Sequence, residues 1–258
     1  MNGKPDNLSE MIRRALQVQA ELGIGEIVVK RRPHEYENAD TNTTYVVPVA
    51  QTVMSEESSA DVFQAGLDVD SGPHYESLTA HCEAIYGCMK CPLGETRNKF
   101  VYGVGNPNAG IMFVGEAPGA EEDRLGEPFV GRAGQLLDKI LAAMKMSRND
   151  VYIANILKCR PPGNRDPLPE EMEKCFPYLR EQVRIIRPKL ICCLGRIAAQ
   201  ALLKTSASLG TLRGGWHSYE GVTVLVTYHP AALLRFPKYK KDTWDDMQKL
   251  LARYESMK

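Results

Sequence analysis

Four apolar residues, Ile111-Met112-Phe113-Val114, stand between turn signals and predict a short buried strand. The residues from Gly131 to Met146 then repeat their apolar side chains at helical spacing, with Leu136, Leu137, Ile140 and Leu141 on one face. The same alternation recurs down the chain. Strands are predicted at Val151–Ile156, Leu190–Leu194 and Val222–Thr227, and helices at Pro169–Ile186, Arg196–Leu203 and Thr243–Tyr254. Apolar strands alternating with helices across short loops predict a parallel sheet covered on both faces. The expected fold is therefore α/β, three layers (α/β/α) around a central four-stranded parallel sheet.

Upstream the pattern changes. Leu8–Leu22 has helical spacing through Met11, Ile12, Ala15, Leu16 and Val18, with Ser9 as a cap. From Arg32 to Pro73 polar tracts such as HEYENADTNTTY and SEESSAD surround one short apolar run, Tyr45–Val49. Such a segment buries too little surface to offset its ordering entropy and is expected to be largely disordered. A compact domain is expected from about Tyr75, where Leu78, Cys82, Ile85 and Tyr86 share a helical face. Residues 1–74 are then an N-terminal extension and 75–258 the working domain.

Composition adds a charge asymmetry. The 258 residues carry 32 Lys+Arg and 32 Asp+Glu, but residues 1–74 hold 6 and 12 of these, so the remainder is basic by six. A basic domain behind an acidic leader is compatible with a polyanionic partner without requiring one. No run reaches the roughly 18 apolar residues that cross a bilayer, and the N-terminus lacks the apolar core of a secretion signal. A cytoplasmic, reducing location is expected, which makes the seven cysteines metal ligands or core residues rather than disulfides.

Cys88 and Cys91 have the C-x2-C spacing that brings two thiolates to one metal, followed by Pro92. Cys159 and Cys175 bracket a loop rich in Pro, Gly and Asn, so four thiolates could converge. Wide spacing with an adjoining proline favours an iron–sulfur cluster over structural zinc, with four unrelated buried thiols as the remaining reading. Cys192 and Cys193 lie inside an apolar strand and Cys82 on a helix face, and these three are expected in the core.

The stretch GEAPGAEEDRLGEPFVGRAGQLLD (115–138) sits at the carboxyl end of the first strand, the rim where open α/β sheets bind ligands. Together with YIANILKCRPPGNRDPLPEE, IRPKLICCLG, YHPAALLR and the four spread cysteines, it resembles the family 4 uracil-DNA glycosylases, from about Tyr75 to the C-terminus. That resemblance implies a four-stranded parallel sheet between helices, a [4Fe-4S] cluster held by Cys88, Cys91, Cys159 and Cys175, and excision of uracil from DNA in base excision repair. The expected protein is a monofunctional hydrolase and a monomer whose partner is uracil-containing DNA; residues 1–74, which the resemblance does not cover, are a candidate place for a replication or repair protein to join.

Residue by residue, Phe129 matches the aromatic plate for the extruded uracil, and Asn155 the amide that reads its Watson–Crick edge. One amide carries both a donor and an acceptor, which meet O4 and N3–H of uracil and mismatch cytosine. His229, in the H-P-x-x-L loop, matches the donor that stabilises charge developing on uracil O2. Leu233 and Leu234 match the wedge that fills the vacated stack, and Arg235 a phosphate contact. Glu116 is a candidate for positioning water or stabilising the sugar cation, the backbone of Ala117 for holding O2, and Glu122 for closing the pocket against a 5-methyl group. Many superfamily members place an aspartate where this chain has Ala117, so the resemblance implies a dissociative reaction with late capture of water.

Two rivals come from other classes. A non-catalytic iron–sulfur module that binds nucleic acid would keep the sheet and the cysteines and need none of the loop residues. A nucleotide hydrolase would need a Walker-type lysine after a strand, and none is present. No lysine of these loops stands as a Schiff-base nucleophile for a lyase.

Overall fold

The computed structural model describes residues 73–258. The predicted helix at 8–22 and the linker after it lie outside the described residues. The sheet has six strands: β1 (Val104–Gly105), β2 (Ile111–Gly115), β3 (Tyr152–Asn155), β4 (Leu190–Leu194), β5 (Trp216–Tyr219) and β6 (Val222–Thr227). Their spatial order is β1-β3-β2-β4-β6-β5. The four inner strands pair in parallel, as predicted, and antiparallel β1 and β5 close the two edges. The edge strands were not predicted: β1 has two residues, and only Tyr219 of β5 is buried.

Side-chain alternation divides the core. Ile111 and Phe113 of β2 join a cluster with Leu136, Leu137, Ile140 and Leu141 of α4 (Arg132–Ala143) and with Met247 and Leu250 of α9 (Lys240–Glu255). Met112 and Val114 point the other way, to Leu179 and Val183 of α5 (Pro169–Ile186) and Ala198, Ala199 and Leu202 of α6 (Arg196–Leu203). Three layers result. Between α6 and α9 in sequence lie two shorter helices, α7 (Leu209–Leu212) and α8 (Pro230–Arg235).

A third cluster packs α1 (Leu78–Ile85) and α2 (Leu93–Thr96) against α5 through Ile85, Leu93, Leu157 and Tyr178. The predicted face of α1 needs correction. Tyr86 is exposed and Cys82 half-buried, while His81 takes the buried position because its Nδ1 meets the Tyr102 hydroxyl at 2.8 Å. Cys192 and Cys193 are core residues, as expected. No helix among the described residues is long and apolar enough to cross a membrane.

Candidate active site

The carboxyl ends of β2, β3 and β6 converge on a cavity of about 380 Å³. Glu116, Ala117, Glu122, Phe129, Asn155, His229 and Arg235 all line it, so three loops far apart in sequence meet at one place. β2 and β3 pair Gly115 with Asn155 in register, which sets the asparagine beside the start of the glycine-rich loop. Asn155 is 2% exposed and its Oδ1 has no hydrogen-bond partner. A buried acceptor left without a donor carries a desolvation cost that a ligand donor would relieve.

The loop after β2 is not wholly irregular. Ala120–Leu125 form a helix, α3, inside the glycine-rich stretch. Glu122 in its first turn accepts from the backbone N–H of Gly119 at 3.1 Å, Val130 at 3.0 Å and Gly131 at 2.9 Å. That carboxylate stitches the start of α3 to the turn carrying Phe129. Phe129 itself has φ +56°, a left-handed conformation unusual for a residue with a side chain. Arg148 holds it there by donating to the carbonyls of Pro128 (3.0 Å) and Phe129 while its Nε meets Asp138 at 2.7 Å. Gly115 and Gly134 make room. A Cβ on Gly115 would fall on Asn155 Oδ1 and the Phe129 ring, and one on Gly134 would fall on the Phe129 carbonyl.

His229 caps α8, with Pro230 at its first position. Its Nδ1 accepts from the Ala231 N–H at 3.1 Å, so the ring's own proton resides on Nε2. Burial pushes its pKa down to about 4, which keeps the imidazole neutral at physiological pH. The ring lies 5.5 Å from that of Phe129, tilted by 31°. Glu116 is held the opposite way: burial, and next the nearby Asp166 carboxylate, push it up to about 7, against the opposing pull of Arg196. Asp166 pairs with Arg196 at 3.0 Å and lines the same cavity with Asn164 and Arg165. These three were missed as site residues, although the CRPPGNRDPLPEE loop that carries them was singled out.

One expectation fails. Leu233 is 1% exposed and packs in the core beside α4 and α9, whereas Leu234 is 40% exposed. Leu233 follows Pro230 by three positions and shares its buried face, and Leu234 is turned a further 100° toward solvent. Leu233 is therefore no wedge. Leu234 and Arg235 stand on the exposed side of the same turn.

A separate cavity is lined by Cys88, Cys91, Cys159 and Cys175. Donors already point at its sulfurs: the Tyr178 hydroxyl reaches Cys88 Sγ at 3.1 Å, the Lys158 N–H reaches Cys175 Sγ at 3.3 Å, and Arg97 Nη1 reaches Cys159 Sγ at 3.6 Å. No three acidic, cysteine or histidine side chains among the described residues close to the spacing of a single ion. Four thiols ringing a cavity, with hydrogen bonds to the sulfurs, suit a wider polynuclear group.

The fold and this rim define a class. A family model described as "Uracil DNA glycosylase superfamily" matches residues 102–248, and the chain belongs to that superfamily. Within it the likeness is to the type-4 branch. A type-4 uracil-DNA glycosylase of Archaeoglobus fulgidus is 47% identical over 183 residues, covering 68% of this chain and 92% of the relative. One from Pyrobaculum aerophilum is 45% identical, covering 64% and 88%. A type-5 enzyme of that organism is 36% identical over 50% of this chain and 64% of its own.

Proposed function

We propose that this chain removes uracil from DNA by hydrolysis of the N-glycosidic bond, leaving an abasic site, with residues 75–258 as the catalytic domain. The observation that carries the reading is the unpartnered Oδ1 of Asn155 in the cavity between Phe129 and His229. Uracil N3–H supplies the donor this oxygen lacks, and the amide Nδ2 donates to O4. Phe129 supplies the stacking face once the nucleotide is extruded. Glu122, fixed by three backbone N–H groups, is a rigid piece of wall, which excluding a single extra methyl group requires.

Bond cleavage places negative charge on uracil O2 and positive charge on the sugar. The neutral His229 donates Nε2–H toward O2, assisted by the Ala117 backbone, so charge is stabilised where it forms. Ionised Glu116 stabilises the sugar cation and orients the water that captures it. The reaction forms no Schiff base. Lys158, the lysine beside Asn155, donates its Nζ to Asn155 O at 2.9 Å and Gln182 Oε1 at 2.6 Å and is absent from the cavity lining.

The cysteine cavity is assigned to a [4Fe-4S] cluster held by Cys88, Cys91, Cys159 and Cys175. Such a group ties the segment before α2 to the β3–α5 connection and to α5, a structural contribution. Leu234 and Arg235 are assigned to the DNA strand, and the acidic residues 1–74 to a repair or replication partner.

An oligonucleotide with one deoxyuridine, followed by alkali cleavage, tests the reading. The enzyme yields a cut at the uracil, and a binding module shifts the oligonucleotide without cutting it. In Asn155→Asp, activity on uracil falls by about 100-fold or more while cytosine becomes a substrate, because the reading group has changed polarity. Unchanged base selectivity would remove Asn155 from its assigned role.

A further inference from the structure

The turn after α8 exposes more than a wedge and a phosphate contact. Phe236 is 52% exposed, beside Leu234 at 40%, and Arg235 between them lines the cavity. The ring is not on a loose tail. The Phe236 N–H donates to Ala232 O at 2.8 Å, Pro237 follows, and the Tyr239 N–H donates to Phe236 O at 3.1 Å. Tyr239 backs the ring, edge to face at 6.0 Å, and is itself stacked on Tyr228 at 4.3 Å and 15°. Arg213 lies over Tyr228 at 5.3 Å. Lys238 and Lys241 are exposed on either side of Tyr239. A rigidly held aromatic with an open surface, set among cations and continuous with the cavity mouth, has the make-up of a base-stacking platform on a backbone-tracking groove.

We propose that Phe236 stacks against the nucleobase next to the extruded uracil on the same strand, so that this chain grips its substrate at two successive bases. The inference rests on the uracil-excision reading only in placing the strand at the cavity mouth. Because duplex stacking covers base faces that a single strand leaves open, the contact operates mainly on single-stranded DNA.

The experiment compares wild type, Phe236→Ala and Phe236→Trp on single-stranded deoxyuridine oligonucleotides. In one set the base 5′ or 3′ to the uracil is present, and in the other that nucleotide is replaced by an abasic spacer. Phe236→Ala is expected to weaken binding and kcat/KM by about 5- to 100-fold on the intact strand, the range base–aromatic stacking supplies, and Phe236→Trp to keep both. With the spacer on one side, wild type and Phe236→Ala should become equal. An equal loss with and without the neighbouring base, or no loss at all, overturns the platform. Failure of wild type to release uracil from any oligonucleotide would instead overturn the activity.

Discussion

At the scale of single residues, Glu116 makes the site sensitive to pH. Its carboxyl is pushed from an ordinary 4.5 up to about 7, first by burial and next by Asp166. A carboxyl whose folded value is raised stabilises the fold fully below its unfolded value, and that contribution is lost as pH climbs through about 7. Between about pH 4.5 and about pH 7 Glu116→Gln should therefore gain Tm relative to wild type, and the difference isolates this carboxyl from His81 and His229, whose lowered values act in the opposite sense. Catalysis moves the other way. If the ionised form stabilises the sugar cation, kcat/KM rises through about pH 7, and the glutamine variant lacks this limb while retaining a low residual rate. His229, neutral above about 4, adds no limb in that window. A pH profile of Glu116→Gln with an unchanged limb would assign the titration elsewhere.

At the scale of elements, the Phe129 turn is held by groups that no local pattern announces. Arg148 lies nearly twenty positions downstream, and its guanidinium ties together Pro128, Phe129 and Asp138. Arg148→Met should leave far-UV circular dichroism unchanged yet lower kcat/KM by about 10- to 100-fold, because a shift of about 1 Å in a positioning group has that effect. Gly134→Ala should act in the same direction through the carbonyl of Phe129. The inner strands and long helices were legible because each buries a run or stripe of apolar residues wide enough to see; β4, β6, α5 and α6 have the predicted bounds. The edges were not, since a two-residue strand and the half-exposed Trp-His-Ser-Tyr carry no alternation. Helix phase was also invisible in the Leu233-Leu234 pair: two identical neighbours have opposite fates, and the face by which α8 docks on the core decides which is buried.

At the scale of the whole molecule, the two cavities are connected through one buried cation. Lys158 is fully buried, and both acceptors of its Nζ are neutral, the Asn155 carbonyl and the Gln182 amide. Gln182 continues to the carbonyl of Tyr102 at 2.9 Å and the hydroxyl of Tyr152 at 3.2 Å. Burial lowers the Lys158 pKa to about 8, and the neighbouring Cys175, Cys82 and Cys159 pull it back up. A charge so placed needs an anionic neighbour, and four thiolates around the proposed metal group would provide one. If the cysteine cavity holds the proposed cluster, stripping it leaves the ammonium uncompensated, so wild type should lose about 3–5 kcal/mol of stability, whereas Lys158→Met, having no charge to strand, should lose less. Unfolding both proteins before and after chelation measures the difference between the two losses. Equal losses would mean that the ammonium and the cysteine cavity are electrostatically independent; a smaller loss in the methionine variant would show that the charge holding the carbonyl of Asn155 is balanced from the cysteine side.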